Sequence, residues 1–509
     1  MVSISALVQF WISHPALFYG VSSLLGFYVS FYSHPVLLIP CLLFWVPFFC
    51  RRSWLKWVGL SLSLFLAVWS YSHISYPSLN LPEKGDMVTA HVSISSLTQQ
   101  STPFGQRWIY QCVLKNFTPE GTSYVITSNR SCLISLLQDD QLLRPVANRD
   151  YLVYGRLLKR SNQYQLRISK DVAWLPLKST YSLAEKRFQW KKQVETWIKA
   201  QFKEPTSAVF LAGLTTGNFD NQALRQEFAR FGLQHIMAIS GFHFAIIAGI
   251  LGLFLRLICS ARLSALILLG LMSSYCFFLG SNPSVMRAWI MCSVALLSGI
   301  LEKPTNSINS LGIALLVVLA FDPLLSLSLA FQFSFLVTAA ILIGYGPLDQ
   351  LLGEVLLKRS LSEMVEMSSL NQHGYVVLAF FRQALALTLA VNLFALPLTL
   401  YYFHQFPLMA LLYNFFFPFL VSISMGLLLL GALLIFLPPA AQLVHQINNV
   451  YTDFILKLTY QLPNSVDHYL SVDQFSLVLL VTWLCASLYG CILLRAYLKR
   501  EQEELFVFL

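Results

Sequence analysis

Apolar stretches of about 17 to 25 residues recur along this chain, each long enough to cross a hydrocarbon core of roughly 30 Å at 1.5 Å per residue. Runs of that length number about ten or eleven. With 56% apolar residues and only 11% charged ones in 509, an ordinary soluble globule is excluded and the bilayer must be the solvent. The first 50 residues contain no Lys, Arg, Asp or Glu, so they lack the basic start of a cleaved signal peptide and read as retained membrane helices.

Short cytoplasmic loops retain Lys and Arg, and this orients the runs. Arg51, Arg52 and Lys56 fall between the second and third runs; placing them inside puts the N-terminus inside and sends a helix near 60–71 outward. Arg256, Arg262, Lys303, Lys358 and Arg359 then fall inside as well. The expected organisation is three transmembrane helices over 1–75, an extracytoplasmic domain over 76–180, a basic amphipathic helix over 181–204, a second transmembrane domain over 205–495 and a cytoplasmic tail over 496–509. Beyond residue 403 the alternation blurs, because Pro418, Pro438 and Pro439 interrupt the apolar run and 442–462 reads as amphipathic rather than spanning.

The outside segment differs in kind. Short alternating runs such as 88–94 and 151–157, with others at 108–114, 123–127, 132–137 and 164–168, read as strands bounded by turn residues. Five or six strands in about a hundred residues suit a small OB-like β-barrel inserted into an otherwise mostly α, polytopic helical membrane protein. From residue 78 to 178 twelve Lys or Arg stand against seven Asp or Glu, on the side where the positive-inside rule offers no reason for an excess. A polyanion arriving from outside accounts for it, and so does a plain solvated surface. Trp108, Tyr110, Tyr154, Lys159, Arg160, Tyr164 and Arg167 are the candidates for holding a single strand by stacking and charge, with core packing the other use for the aromatics. Of nine cysteines only Cys112 and Cys132 lie in this domain, where a disulfide would close a loop of about twenty residues.

In 183–202, Lys186, Arg187, Lys191, Lys192 and Lys199 interleave with Phe188, Trp190, Val194, Trp197 and Ile198, the pattern of a helix lying on a membrane surface beside anionic lipid. Farther on, polar groups enter an otherwise apolar run: on one continuous helix from about 231 to 255, His235, Ser240 and His243 fall within an arc of about 140° and face one cavity or helix interface, while Gly241 admits a second backbone. Hydrogen bonding between helices is the plainer use of such groups. No phosphate-cradling Gly-x-x-x-x-Gly-Lys-Ser/Thr loop is present, so the sequence reads as no ATPase motor.

The run His235 to His243 resembles the histidine, small apolar, Ile-Ser-Gly-x-His signature of the ComEC family of competence proteins, and further motifs follow in that family's order. Pro283-Ser284-Val285-Met286-Arg287-Ala288 resembles its Pro-Ser-x-x-Arg-Ala element, and Asp322-Pro323 with Phe331-Gln332-Phe333-Ser334-Phe335 its Asp-Pro and Phe-Gln-x-Ser-Phe pair. Asn392, Pro397, Phe406, Asn414 and Pro418 fall in a stretch like its closing helices, so the likeness covers about 205–435. Relatives' Pro-Gly-x-Phe-Asp and Gly-Asp elements are replaced here by Ser161-Asn162-Gln163-Tyr164 and Gly217-Asn218-Phe219-Asp220. No His-x-His-x-Asp-His sequence of the metallo-β-lactamase-like module is found, so a separate nuclease is expected to degrade the other strand.

The resemblance implies a channel in the bacterial inner membrane for single-stranded DNA during natural transformation, with no enzymatic activity, cofactor or metal of its own. It implies as partners an outer DNA receptor or pilus and cytosolic motor and single-strand-binding proteins. His235, Ser240, Gly241, His243, Arg287, Gln332 and Ser334 are the expected lining of the path, with Arg287 a phosphate contact or, alternatively, a side chain snorkelling to headgroups. Asp322-Pro323 is expected to mark a helix boundary. A small-solute transporter remains an alternative. So does an intramembrane hydrolase using Ser240, although the sequence shows no convincing internal repeat for the first and places both histidines on the serine's own helix for the second.

Overall fold

A computed structural model describes residues 2–507 apart from 33, 51–53, 77–84, 103–104, 139–143, 161–162, 170–171, 179, 238–240, 281, 357–358, 360 and 461–466. The uncharged start forms α1 (Val2–Ser13) and α2 (Pro15–Tyr32), which meet at a 99° bend, followed by the short α3 (Leu38–Trp45) and by α4 (Trp54–Ser75). Pro15 opens α2 with no N–H to continue the ladder of α1, which fixes the place of the bend.

Six strands come next: β1 (Asp86–Thr102), β2 (Gly105–Pro119), β3 (Ile126–Leu137), β4 (Tyr151–Arg160), β5 (Gln163–Arg167) and β6 (Leu175–Pro176), in the order β1-β2-β3-β5-β4-β6 with a further β1–β4 ladder. The expected runs 123–127 and 132–137 merge into β3. The sheet is not the closed barrel expected. The β1–β4 ladder covers only Asp86–Val92 of the long first strand, β3 and β5 share three residue pairs, and β6 extends the sheet beyond β4. Bulges between His91 and Val92 and between Ile94 and Ser96 bend β1, allowing its first half to serve β4 while its whole length serves β2.

Alternation sorts the side chains of this sheet. Tyr110, Cys112 and Leu114 share one face of β2 and are buried with Val88, Ala90, Val92, Ile134, Val153 and Leu157. Tyr110 and Tyr164, expected as candidates for base stacking, are therefore core residues, 0% and 2% exposed. Trp108 is half-buried against Phe188, with the Arg144 guanidinium 4.9 Å above its ring.

The basic helix α5 (Ala184–Gln201) does not lie free on a surface: it packs on β1, on α6 (Pro205–Thr216) and on α10 (Ala261–Leu279). Its first turn is locked to the sheet by Glu185, 6% exposed, whose carboxylate accepts both Nη atoms of Arg144 at 2.8 and 2.6 Å and the Ala147 N–H at 2.9 Å. Burial pushes this carboxyl up, and the Arg144 and Ala147 hydrogen bonds more than offset that, so its folded pKa is below the ordinary value. A depressed carboxyl adds stability that is complete above the free pKa of about 4.3 and drains away as pH falls through the lower folded value. Amide exchange over β1–β5 in the full chain is accordingly expected to accelerate below about pH 4, and Glu185→Ala to accelerate it already at neutral pH by loosening the junction by about 2 kcal/mol.

The remaining helices are α7 (Gln222–Arg230), the single turn α8 (Gln234–Met237), α9 (Gly241–Ile258), α10, α11 (Pro283–Ile300), α12 (Ser307–Phe321), α13 (Leu329–Val355), α14 (Leu361–Glu366), α15 (Ser369–Phe403), α16 (Met409–Leu433), α17 (Pro438–Tyr460) and α18 (Leu477–Val507). A two-stranded ribbon of β7 (Gln405–Pro407) and β8 (Tyr469–Ser471) flanks α16. Their starts are written in the sequence: Asn221, Asn282, Asn306 and Ser328 each accept a backbone N–H of the helix they open, and Pro283 follows Asn282 at the first helical position. Asp322 ends α12 and caps a 3-10 turn from Pro323 through its 3.0 Å bond to the Leu324 N–H, the boundary expected there. Pro397 and Pro418 sit inside α15 and α16, which continue past them.

Among the described residues eight helices are long and apolar enough to cross a membrane, or nine if the bent α1–α2 pair is one span. This is fewer than the ten or eleven runs counted in sequence, because 35–48 and α12 are short and α17 is amphipathic, as 442–462 suggested. One hydrophobic core joins the N-terminal helices to α12, α13 and α18 around Trp11, Phe18, Phe44 and Phe331. A second joins α6, α7, α8, α16 and α17 around Phe210, Phe228, Phe231 and Phe417.

Candidate functional site

Five helices close a circuit: α9 touches α11 and α16, α11 touches α13, α13 touches α15, and α15 touches α16, where Phe381 stacks on Phe415 at 5.2 Å. No pair across the circuit is among the principal helix contacts of the described residues. Arg287, the fifth residue of α11, reaches both neighbours of its helix. Its Nη1 donates to the Ser334 carbonyl of α13 at 2.5 Å, and its Nη2 lies so close to Gly241 of α9 that a Cβ there would collide with it. The side chain is 7% exposed, which a snorkelling arginine at a headgroup boundary would not be.

A buried guanidinium needs its donors used. Among the described residues Nε of Arg287 has no acceptor, and the hydroxyl of Ser334 is likewise without a partner. Asn414 Oδ1 on α16 is in the same condition. Thus three of the five helices present unsatisfied buried polar atoms, the condition that bound water or a polar ligand relieves. Ser284, also in the arginine motif, bonds the Ala330 carbonyl at 3.2 Å and pins α11 to α13 beside it.

The histidine stretch departs from its sequence reading. The expected helix does not start at 231: Gly232 sits in a left-handed turn (φ +67°), α8 opens at Gln234, and α9 is described from Gly241 on, with 238–240 outside the described residues. His235 is exposed on α8, with Nδ1 3.2 Å from the Gly232 carbonyl; His243 is buried, 3% exposed, in the first turn of α9. Ser240 lies outside the described residues. Gln332 sits on α13 one turn from Ser328, where its Oε1 accepts the Tyr402 hydroxyl at 2.7 Å and its Nε2 donates to the Ser326 carbonyl, which Tyr28 also reaches at 2.9 Å. Gly241, Arg287 and Ser334 thus come together, with His243 in the same helical turn as Gly241 and His235 close enough to His243 for their charges to interact, whereas Gln332 stands in other surroundings. Asn414 escaped the site reading because nothing in sequence separates an amide oxygen left buried without a partner from one that bonds a neighbouring helix.

In the sheet, Tyr154, Lys159 and Arg167 are exposed, Arg160 lies on β4 opposite Gln163, and Cys112 stands directly across from Cys132 between β2 and β3. The tip of the β1–β2 hairpin reaches the transmembrane domain, where the Ser101 N–H donates to Asp220 at 2.5 Å. Among the described residues no three His, Cys, Asp or Glu gather as a metal site would require.

The sequence profile of the competence protein family matches residues 216–497, more than half of the chain, and takes in the whole circuit from α9 to α16. ComE operon protein 3 of Bacillus subtilis (strain 168) is 26% identical over 213 residues, a stretch that is 41% of this chain and 24% of that protein, so the match spans about a quarter of the relative's length. No solved structure matches the chain. The arginine, glycine and serine that meet between α9, α11 and α13 all lie within the matched region, and the chain belongs to the ComEC-type competence protein family.

Proposed function

We propose that the circuit of α9, α11, α13, α15 and α16 surrounds the path by which single-stranded DNA crosses the bacterial inner membrane during natural transformation. The observation that carries the reading is Arg287, a buried cation spanning from α9 to α13 with a donor still unused among the described residues. A phosphate chain crossing a low-dielectric slab needs donors and modest positive charge, yet conduction requires that no site hold it tightly. One arginine already sharing a carbonyl, with the hydroxyl of Ser334, the amide of Asn414 and the imidazole of His243 on neighbouring helices, suits that balance better than a cluster of cations would. Gly241 completes the lining at the start of α9, Ser240, its neighbour in sequence, is assigned to the same path, and His235 and Gln332 serve the approaches.

The sheet acts as a receiving surface, presenting Tyr154, Lys159 and Arg167 to the incoming strand, with Arg160 next to Lys159 along β4 as a further candidate. An outer receptor or pilus delivers DNA to it, and a cytosolic motor and single-strand-binding proteins draw the strand inward. Cys112 and Cys132, directly opposed in an antiparallel ladder, stand at a Cα separation of roughly 4.5–5.5 Å, within disulfide reach. Burial pushes the Cys132 thiol up to about 12 and Cys112 well above its ordinary value, so the folded dithiol is a poor nucleophile and the bond forms while the domain folds in an oxidising exterior. Maleimide labelling of the denatured, unreduced chain should then leave these two cysteines unlabelled; labelling of both means the pair stays reduced.

The test is rescue of a transformable bacterium that lacks its own channel but retains receptor and motor, scoring labelled DNA that becomes protected in the cytosol. Uptake restored by the membrane-inserted chain supports the reading, and failure of the inserted chain alongside a working native control sinks it.

A further inference from the structure

Outside the circuit, α5 crosses the end of α10, and between them lies a groove of ≈ 570 Å³ lined by Trp190, Ser273, Ser274, Phe277 and Phe278. Helix α10 packs on α9, α11 and α5 and takes no part in the circuit, and its Leu263, Leu266, Leu271 and Phe277 are exposed, so the groove opens on an apolar flank. The two serines add little polarity: Ser273 is bonded to the Leu269 carbonyl and to Trp289 Nε1, and Ser274 to the Gly270 carbonyl.

At the α5 end of this groove stand two cations one helical turn apart, Arg187 and Lys191. The Arg187 guanidinium is 5.3 Å from the Phe277 ring and donates to the Ser95 carbonyl at 3.4 Å; Lys191 Nζ donates to the Leu279 carbonyl at 3.0 Å. Each thus uses one donor on main chain and keeps others for a further acceptor. Burial, and then the neighbouring Arg187, hold Lys191 down at about 8, a strain that an anion beside the pair relieves.

We propose that this groove holds one anionic phospholipid, its acyl chain along Trp190, Phe277 and Phe278 and its phosphate on Arg187 and Lys191. An apolar trough ending in paired cations, at the end of an apolar span, matches a molecule that is apolar along its length and anionic at one end. A nucleic acid backbone would leave the trough unfilled. The proposal rests on the membrane reading of α10 and is independent of the DNA path.

Native mass spectrometry of the full chain in detergent, titrated with phosphatidylglycerol or phosphatidylcholine, tests it. One phosphatidylglycerol should bind about tenfold more tightly than phosphatidylcholine, whose trimethylammonium cancels the charge of the same phosphate, on the scale of about 1 kcal/mol per cation facing a net anionic head group. The preference should vanish in Arg187→Gln/Lys191→Gln, and Ser274→Phe, whose ring fills the groove and leaves the cations in place, should weaken both lipids. Equal binding of the two lipids, an unchanged preference in the double variant, or displacement of the phosphatidylglycerol by oligothymidylate or by inorganic phosphate overturns the proposal. If the double variant loses its cooperative thermal melt, Ser274→Phe and the two competitors carry the test alone.

Discussion

Arg287→Ala is expected to lower DNA uptake about ten- to a hundredfold while the chain remains folded and inserted, the range that losing one hydrogen bond to a charged group of roughly 1.5–3 kcal/mol produces in a rate. The side chain touches both α9 and α13 from α11, so its removal takes away both a charge and a spacer. Arg287→Lys separates the two. Lysine restores charge but not the planar fork that reaches the Ser334 carbonyl while its other nitrogen stays against Gly241. Uptake of the lysine variant should therefore fall between wild type and alanine. The readout is cytosolic labelled DNA per membrane-inserted molecule, with the thermal melt of each variant in detergent as control. Uptake by Arg287→Ala equal to wild type would reduce the arginine to a packing residue and remove the main support for the path.

Gly241→Ala should produce nearly the same defect from the opposite helix. The new methyl would occupy the place of Nη2 of Arg287, and because that atom is the far end of a flexible side chain, the guanidinium swings away and the helices stay packed. Uptake should drop about tenfold with little change in melting, since what is lost is the aim of a charged donor rather than a core contact. The two substitutions act through one group, so adding Gly241→Ala to Arg287→Ala should lower uptake no further. Additive losses in that cycle would mean that Gly241 matters for another reason, such as its own backbone at the start of α9.

Much of this arrangement is legible in the residues. Apolar runs of bilayer length announce the spans, and Asn282-Pro283, Asn306 and Ser328 announce helix starts through chemistry that acts within three residues. The burial of Tyr110 was also accessible: Cys112 and Leu114 share its parity on β2, and an apolar parity is a core face. Other features are not local. The left-handed turn at Gly232, which separates α7 from α8, hides in an apolar stretch whose periodicity runs on through it. Arg287 finds its partner in the Ser334 carbonyl, and a main-chain acceptor leaves no mark on residue identity. Nor does composition tell a helix lying on lipid from one wedged between a sheet and two helices; α5 carries the same amphipathic pattern in both cases.

The setting of α5 has a mechanical consequence. Glu185 fastens one end to the sheet by the double bond to Arg144. Ten residues on, Glu195 accepts the Thr216 hydroxyl and the Asn218 amide at the end of α6, and Lys191 grips the last carbonyl of α10 between them. A helix bolted at both ends is a tie rod: torque applied to the sheet is delivered to α6 and α10 rather than dissipated in a slack hinge. Whatever acts on the sheet therefore also sets the attitude of α6 and α10, and through the packing of α10 on α9 and α11 it reaches the helices that hold the arginine.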